Sequence, residues 1–288
     1  MFIQYLSGGL AIGSIYALVA LGFILIYKAT EVLNFSQGEI MMLGAFIAYT
    51  FIALLHLNFW LSLLLTFIAM GIIGYVTERL LLRPLMGEPL FSLVMVTIGL
   101  AAVIRSACGM IWTHETMKFP EYFSHAPMNF QGVIISQVHF WIFIITLLLV
   151  LGLSLFFKFT GIGTAMRATG LNQLATILMG INIKRIFSLT WALSAILASV
   201  AGILMAPILF LSTNMSFIGF KAFPAAILGG FGSIPGAIIG GFVIGISENL
   251  AGAYLPPGFK DVFAYIILII VLLIKPTGIF GVPELKRV

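Results

Sequence analysis

The chain has 288 residues, of which 61% are hydrophobic and only 8% charged, against about 45–50% and about 25% in soluble domains. So few charges cannot cover a globule of this length, which excludes a soluble fold. One cysteine, Cys108, excludes an internal disulfide framework and leaves the redox compartment unread. The formal net charge is +5, but the basic residues punctuate apolar runs and form no stripe. That argues against nucleic-acid binding and makes the excess a topology signal.

The N-terminal run, MFIQYLSGGLAIG, has no basic region before it, so it is expected to stay and insert rather than be cleaved as a signal peptide. Apolar runs long enough to cross about 30 Å of hydrocarbon follow one another along the chain. They lie near residues 5–27, 39–56, 59–78, 90–112, 139–157, 186–212, 234–252 and 260–275. Between 186–212 and 234–252 sits a short apolar piece, 220–231. A helix of that length reaches only about 18 Å, so it predicts a short or broken crossing that is tolerable only among other helices. The expectation is an all-α integral membrane bundle of 8–9 segments forming a single transmembrane domain over 1–288.

Charge orients it. With nine crossings and the N-terminus outside, the inner side holds Lys28, Arg79, Arg83, Lys158, Arg167, Lys184, Arg185, Lys275, Lys286 and Arg287, and the outer side Lys118, Lys221 and Lys260. The positive-inside rule favours that arrangement, with the C-terminus inside. Two long connections result: an external loop at 113–138, with His114, Glu115, Glu121 and His125, and a cytoplasmic loop at 158–185. Neither can hold a soluble domain, so any larger machinery belongs to other chains.

Three elements carry candidate chemistry. In KATEVLNFSQGEIMMLG, Asn34, Ser36, Gln37 and Glu39 lie where one apolar run gives way to the next. Asn34 and Ser36 suit N-caps, and Glu39 suits the positive end of a helix. Equally, polar groups beside hydrocarbon suit a substrate pathway, and a helix start inside a transporter can hold an anionic group. Both readings stand. The inner loop is divided by Gly161, Gly163 and Gly170; Thr164 is placed to cap one short helix, and Gly180 to close another. This amphipathic stretch either rests on the bilayer surface or docks into a groove on a partner. In LGGFGSIPGAIIGGFVIG, Gly229, Gly230, Gly232, Gly236 and Gly240, with Gly241 and Gly245, give small-residue spacing for close helix packing, or for a gating interface.

Arg105 and Glu248 fall inside apolar runs towards their predicted outer ends, where an ion pair or snorkelling is expected. No metal-ligand spacing, nucleophile motif or phosphate-binding loop occurs. The expectation is therefore no catalytic residues, no metal and no cofactor on this chain.

The segments LNFSQGEIMMLGAF (33–46), GTAMRATGLNQLATILMGINIKRI (163–186) and AAILGGFGSIPGAIIGGFVIG (225–245) resemble the permease subunits of branched-chain amino-acid ABC importers, closest to the LivH type and related to LivM. The likeness covers nearly the whole chain. It implies a bacterial inner-membrane, multi-pass transport subunit working by alternating access. The implied partners are a second, LivM-like permease, two cytoplasmic ATPases carrying ATP and Mg, and an extracytoplasmic substrate-binding protein, all set in membrane lipid. It also implies that the inner loop couples to an ATPase groove through Thr164, Met166, Arg167, Ala168, Asn172, Ala175, Met179 and Gly180. Thr176 stands where relatives often carry a second alanine, which bears on the choice of ATPase. Permeases for urea and other small amides share the scaffold. Rival classes are an ion-coupled secondary transporter, which needs carboxylates near mid-membrane, and a channel, which would conduct alone.

Overall fold

The computed structural model describes residues 2–120, 127–130, 133–256 and 258–281. Helix α1 is Phe2–Thr30 and α2 is Gln37–Tyr49, prolonged by a π-helical turn, Thr50–Leu54. Helix α3, Phe59–Thr77, is prolonged by a π-helical turn, Glu78–Leu82, and a 3-10 turn, Arg83–Leu85; α4 is Leu90–Ile111. Next come strands β1, Pro127–Phe130, and β2, Val133–Ser136, then α5, Gln137–Phe159. The inner loop folds as α6, Gly161–Leu171, and α7, Gln173–Leu178. Helix α8 is Ile183–Leu209; a 3-10 turn, Thr213–Phe217, leads into α9, Ile218–Gly229; α10 is Ile234–Tyr254 and α11 is Phe259–Ile274.

Every apolar run read from the sequence is a helix. Seven helices, α1–α5, α8 and α10, are long and apolar enough to cross a membrane, taking α2 and α3 with their continuations. Helix α9, at 12 residues, is the short segment expected, and α11 has 16. The bundle is all-α as expected; its one addition is a short hairpin, β1 and β2 pairing antiparallel with Pro127 opposite Ser136 and Phe130 opposite Val133, inside the connection read as a loop. The β-branched run Val133–Ile134–Ile135 favours extended backbone. Glu121, His125, Lys286 and Arg287 lie outside the described residues.

Helix α1 is apolar all round, the pattern of a fully enclosed helix. Of its most apolar window 89% is buried, against 11% in α4, so α1 is the axis and α4 lies at the periphery. Helices α5, α8, α9 and α10 surround α1. Glycines set the closest approaches: Gly9 and Gly13 of α1 lie against Ile246, Gly245 and Phe242 of α10. Gly229 meets Gly236, and Gly240 meets the Ala225 carbonyl, drawing α9 onto α10. Gly230 turns the chain with φ +95 against Gly281. Gly232 is the exception to the expected packing set, with no atom of the described residues within 4 Å of where a Cβ would stand.

The two ends of the bundle differ in charge. Lys28 donates to the Gly232 carbonyl, Gln173 to the Ala29 carbonyl, Arg83 to the Lys184 carbonyl, and the Ile279 N–H to the Leu228 carbonyl. These bonds gather the chain near 28–30, 83, 161–185, 228–233 and 275–281 at one end, which holds most of the basic residues. Met117 pairs with Leu211 at the other end.

Gly38 offers a test of packing. A Cβ there overlaps the Ser216 carbonyl, a backbone atom that cannot rotate away. Gly38→Ala should lower stability by about 1–3 kcal/mol, read as an earlier melting transition of the detergent-purified protein. Gly232→Ala should melt like wild type.

Candidate functional site

The end of α1 is made by Glu31, whose φ of 59 breaks the helix while its N–H still donates to the Tyr27 carbonyl at 2.7 Å. The chain then turns back into the bundle instead of starting the next helix at the surface. Helix α4 anchors it there: the Thr97 hydroxyl accepts from the Phe35 N–H at 3.2 Å and lies 3.3 Å from the Leu33 carbonyl. Helix α2 therefore starts level with Gly22 of α1, about 12 Å inside the end of that helix, and with Ser194, about 17 Å along α8. That is mid-depth.

A closed set of hydrogen bonds holds this start. Gln37 Nε2 donates to Ser194 Oγ at 3.1 Å, and Ser194 Oγ donates to the Gly22 carbonyl at 3.0 Å. Asn34 Nδ2 donates to Gln37 Oε1 at 3.0 Å, while Asn34 Oδ1 accepts from the Ser36 N–H at 3.2 Å and the Ser36 hydroxyl at 2.6 Å. A Cβ at Gly22 would overlap the Gln37 amide, so a larger residue there would push that side chain out of its bonds. Asn34, Ser36 and Gln37 are fully buried. The capping expectation is corrected in detail: Ser36 occupies the N-cap position but makes no side-chain cap bond, because its hydroxyl is committed to Asn34.

Glu39, in the first turn of α2, accepts from Arg105 Nη2 of α4 at 2.6 Å. The guanidinium also lies 4.7 Å from the centre of the Phe217 ring, a cation–π arrangement. Arg105 thus turns inward and does not snorkel. Helix α9 begins on the far side of the same point, with Gly219 against Gly38 so closely that neither tolerates a Cβ. Two helix starts, α2 and α9, face each other inside the bundle.

From there Phe217, the last residue of the 3-10 turn, and Phe220 and Phe223 of α9 follow at three-residue spacing. Phe223 contacts Phe23, Phe35 and Phe231 at 5.6–5.7 Å between ring centres, and Phe231 contacts Tyr27 at 4.8 Å. Phe217 and Phe220 are 49% and 43% exposed, and the Arg105 side chain 35%. Pro224 has no N–H for the Phe220 carbonyl; the Tyr265 hydroxyl of α11 donates to it instead, at 3.3 Å.

Two further buried carboxylates are paired. Glu248 of α10 accepts from Lys221 Nζ and from the Tyr16 hydroxyl, both at 2.6 Å, and Lys221 also reaches Asp261 of α11 at 2.7 Å. Lys221, counted with the outer-side basic residues, is thus committed to a carboxylate inside the bundle. Glu78, fully buried, is held by Arg83 Nη2 at 2.8 Å and by the Ser188 hydroxyl. Sequence reading missed these partners. Lys221 showed itself as a cation within an apolar run, but Ser194 and Thr97 carry no signal, since Ser and Thr are ordinary in such helices.

At the basic end, Thr160 Oγ1 accepts from the Gly163 N–H at 3.0 Å and caps α6, so Thr164 lies within the helix and is not its cap. Asn172 caps α7, accepting from the Ala175 N–H at 2.9 Å, and Gly180 closes it with φ +79, as expected. Met166 faces inward among Leu25, Phe157 and Thr190, Ala168 is half-buried, and Thr176 is buried. Thr164, Arg167, Asn172, Ala175, Met179 and Gly180 face outward. With them stand Leu171, Leu174, Leu178 and Met179, between 69% and 84% exposed.

A family profile described as "Branched-chain amino acid transport system / permease component" matches residues 5–272. The chain is 37% identical to the high-affinity branched-chain amino acid transport system permease protein BraD of Pseudomonas aeruginosa, covering 100% of this chain and 98% of that one. It is 34% identical to the corresponding LivH proteins of Salmonella typhimurium and Escherichia coli, with the same coverage. Among solved structures, PsaBC from Streptococcus pneumoniae in complex with Fab matches with a TM-score of 0.52 at 13% identity, over 95% of this chain and 93% of that one. That likeness is one of fold.

Proposed function

We infer the function from one premise: this chain belongs to the permease-component family of branched-chain amino acid transport systems. It is a multi-pass membrane transport subunit and not an enzyme. We propose that it is the permease of an ATP-driven importer of branched-chain amino acids in the cell's inner membrane. Its pathway runs beside Asn34, Ser36, Gln37 and Glu39 and down the aromatic face of α9.

The observation that carries this reading is the meeting of α2 and α9. A guanidinium partly exposed at mid-depth is costly against lipid, so the face holding Arg105, Phe217 and Phe220 fits a cavity shared with a second permease. Broken helices that start near the midplane are the usual architecture of such sites. The aromatic lining suits an apolar side chain better than urea or another small amide. Glu39 meets the mid-depth requirement of an ion-coupled transporter, but Arg105 already supplies its cation.

The basic end is the cytoplasmic one, with nine crossings, the N-terminus outside and the C-terminus inside. There the apolar knob of α7, with Thr164, Arg167, Asn172, Ala175 and Gly180 around it, enters a groove on one of two ATPases that bind ATP and Mg. Met166 and Ala168 anchor the knob to the bundle from within. Closure of the ATPases moves α6, which packs on α1 and α5. The glycine contacts of α9 on α10 are the surfaces that slide. A binding protein delivers substrate from outside, and nucleotide drives the cycle by binding one arrangement more tightly than the other.

The test is capture of the C-terminally tagged chain from mild detergent, identification of every companion subunit by mass, and reconstitution with the binding protein. Co-purifying ATPases and ATP-dependent leucine uptake are expected. A chain recovered alone that moves solute without ATP overturns the reading.

A further inference from the structure

We propose that Glu39 and Arg105 form an amphoteric acceptor for the substrate backbone, Arg105 taking the α-carboxylate and Glu39 the α-ammonium, with the side chain laid on Phe217, Phe220 and Phe223. This rests on the importer reading and names how its site recognises an amino acid.

The argument begins with an unused donor. Arg105 gives Nη2 to Glu39 and its face to Phe217, yet its Nε is buried with no hydrogen-bond partner among the described residues. Buried donors of that kind are rare and costly. The Nε edge of a guanidinium belongs to the fork that grips a carboxylate through two parallel bonds. Here that fork is only part used, on a side chain partly open to the aromatic face. Glu39 lines a crevice with Phe35, Ser216, Gly219, Phe220 and Phe223. The carboxylate, the guanidinium and the apolar face therefore converge on one place.

Charge pairing explains why such a pair suits this cargo. A lone cation or anion at mid-depth would hold a charged solute too tightly or repel it. A closed ion pair is neutral, and so is a zwitterion. On entry, the Glu39–Arg105 pair opens and each partner takes the opposite end of the amino acid, so no buried charge is left unpaired at either stage. Release reverses the exchange, and the protein's own pair re-forms behind the departing solute. A solute lacking either end leaves one protein charge uncompensated. An amino acid with a charged side chain would have to place that charge against phenylalanine rings.

The experiment uses the full permease–ATPase assembly in nanodiscs without nucleotide, with binding followed by ligand-detected NMR. The probes are leucine, 4-methyl-2-oxopentanoate, which lacks the ammonium, and 3-methylbutylamine, which lacks the carboxylate. Wild type should bind leucine more tightly than either analogue. Glu39→Gln should weaken leucine and the amine about tenfold and tighten the oxo acid, whose carboxylate then meets Arg105 with no protein charge left unpaired. Arg105→Gln should weaken leucine and the oxo acid by a similar factor and tighten the amine, whose ammonium then meets Glu39 with no protein charge left unpaired. Arg105→Lys, which keeps the charge but not the fork, should fall between. A pair that only holds α2 to α4 would change all three ligands equally, and that outcome overturns the proposal. So does a wild-type assembly that binds the three alike or binds none. ATP-driven uptake by the same wild-type assembly keeps the importer reading intact in those cases; its absence overturns that reading and the acceptor with it.

Discussion

Replacing Leu178 and Met179 together by aspartate should abolish capture of the ATPases and, with it, ATP-dependent uptake, while the permease still purifies as a folded protein. Both side chains, at the last residue of α7 and its C-cap, are more than four-fifths exposed, and neither contributes to the core. If they fill a partner's groove, each contributes about 1.5–3 kcal/mol of apolar burial. Losing both, with two charges added, weakens association by at least about a hundredfold. The complementary change at Met166 would not isolate coupling, because Met166 is buried against α1 and α5 and an aspartate there would disturb the bundle itself. The result is read as the amount of ATPase retained on the tagged chain. Undiminished retention would remove α7 from the interface.

Lys221→Met should be among the most destabilising single substitutions in the chain. It strands Glu248, which is 2% exposed and whose carboxylate is bound, among the described residues, by Lys221 and Tyr16. Removing one partner of a buried pair costs about 3–5 kcal/mol, since the remaining charge stays without its counterion. Adding Glu248→Gln should recover much of the loss, because both charges are then gone and only a neutral amide is left beside Tyr16. Thermal melting in detergent of the two single variants and the double variant gives the coupling directly. Three additive shifts would show that the pair does not hold α9 to α10.

The sequence was legible wherever one physical requirement decides the outcome. Length and apolarity mark a helix that must satisfy its own backbone in lipid, so the helices fell where the apolar runs were. The inner loop was legible for the same reason: a six-residue helix closed by Gly180 follows from local turn chemistry alone. Its first cap was misplaced by one turn, at Thr164 instead of Thr160, because either hydroxyl satisfies the local rule and only the end of α5 settles which one is used.

Partners across the bundle were not legible. Arg105 and Glu248 both read as charges needing compensation, yet they bind Glu39 and Lys221 respectively, and nothing in spacing distinguishes that from pairing with each other. Glu39 read as a residue at the positive end of a helix, with its depth left open. It lies at mid-depth because residues 31–36 fold back inward, a course fixed by Thr97, 62 residues after Phe35.

Composition, run length and charge asymmetry by themselves determined the class of this protein, the order of its helices and which end is basic, since each is a local property of the chain in contact with hydrocarbon or water. Only the tertiary structure decided where α2 and α9 begin, which charges are paired, and that an ion pair and an aromatic face share one place. Those depend on the approach of Gly22, Gly38 and Gly219 to neighbours far along the sequence. A missing side chain acts there through the distance between two backbones, and that distance is set by every other contact in the bundle.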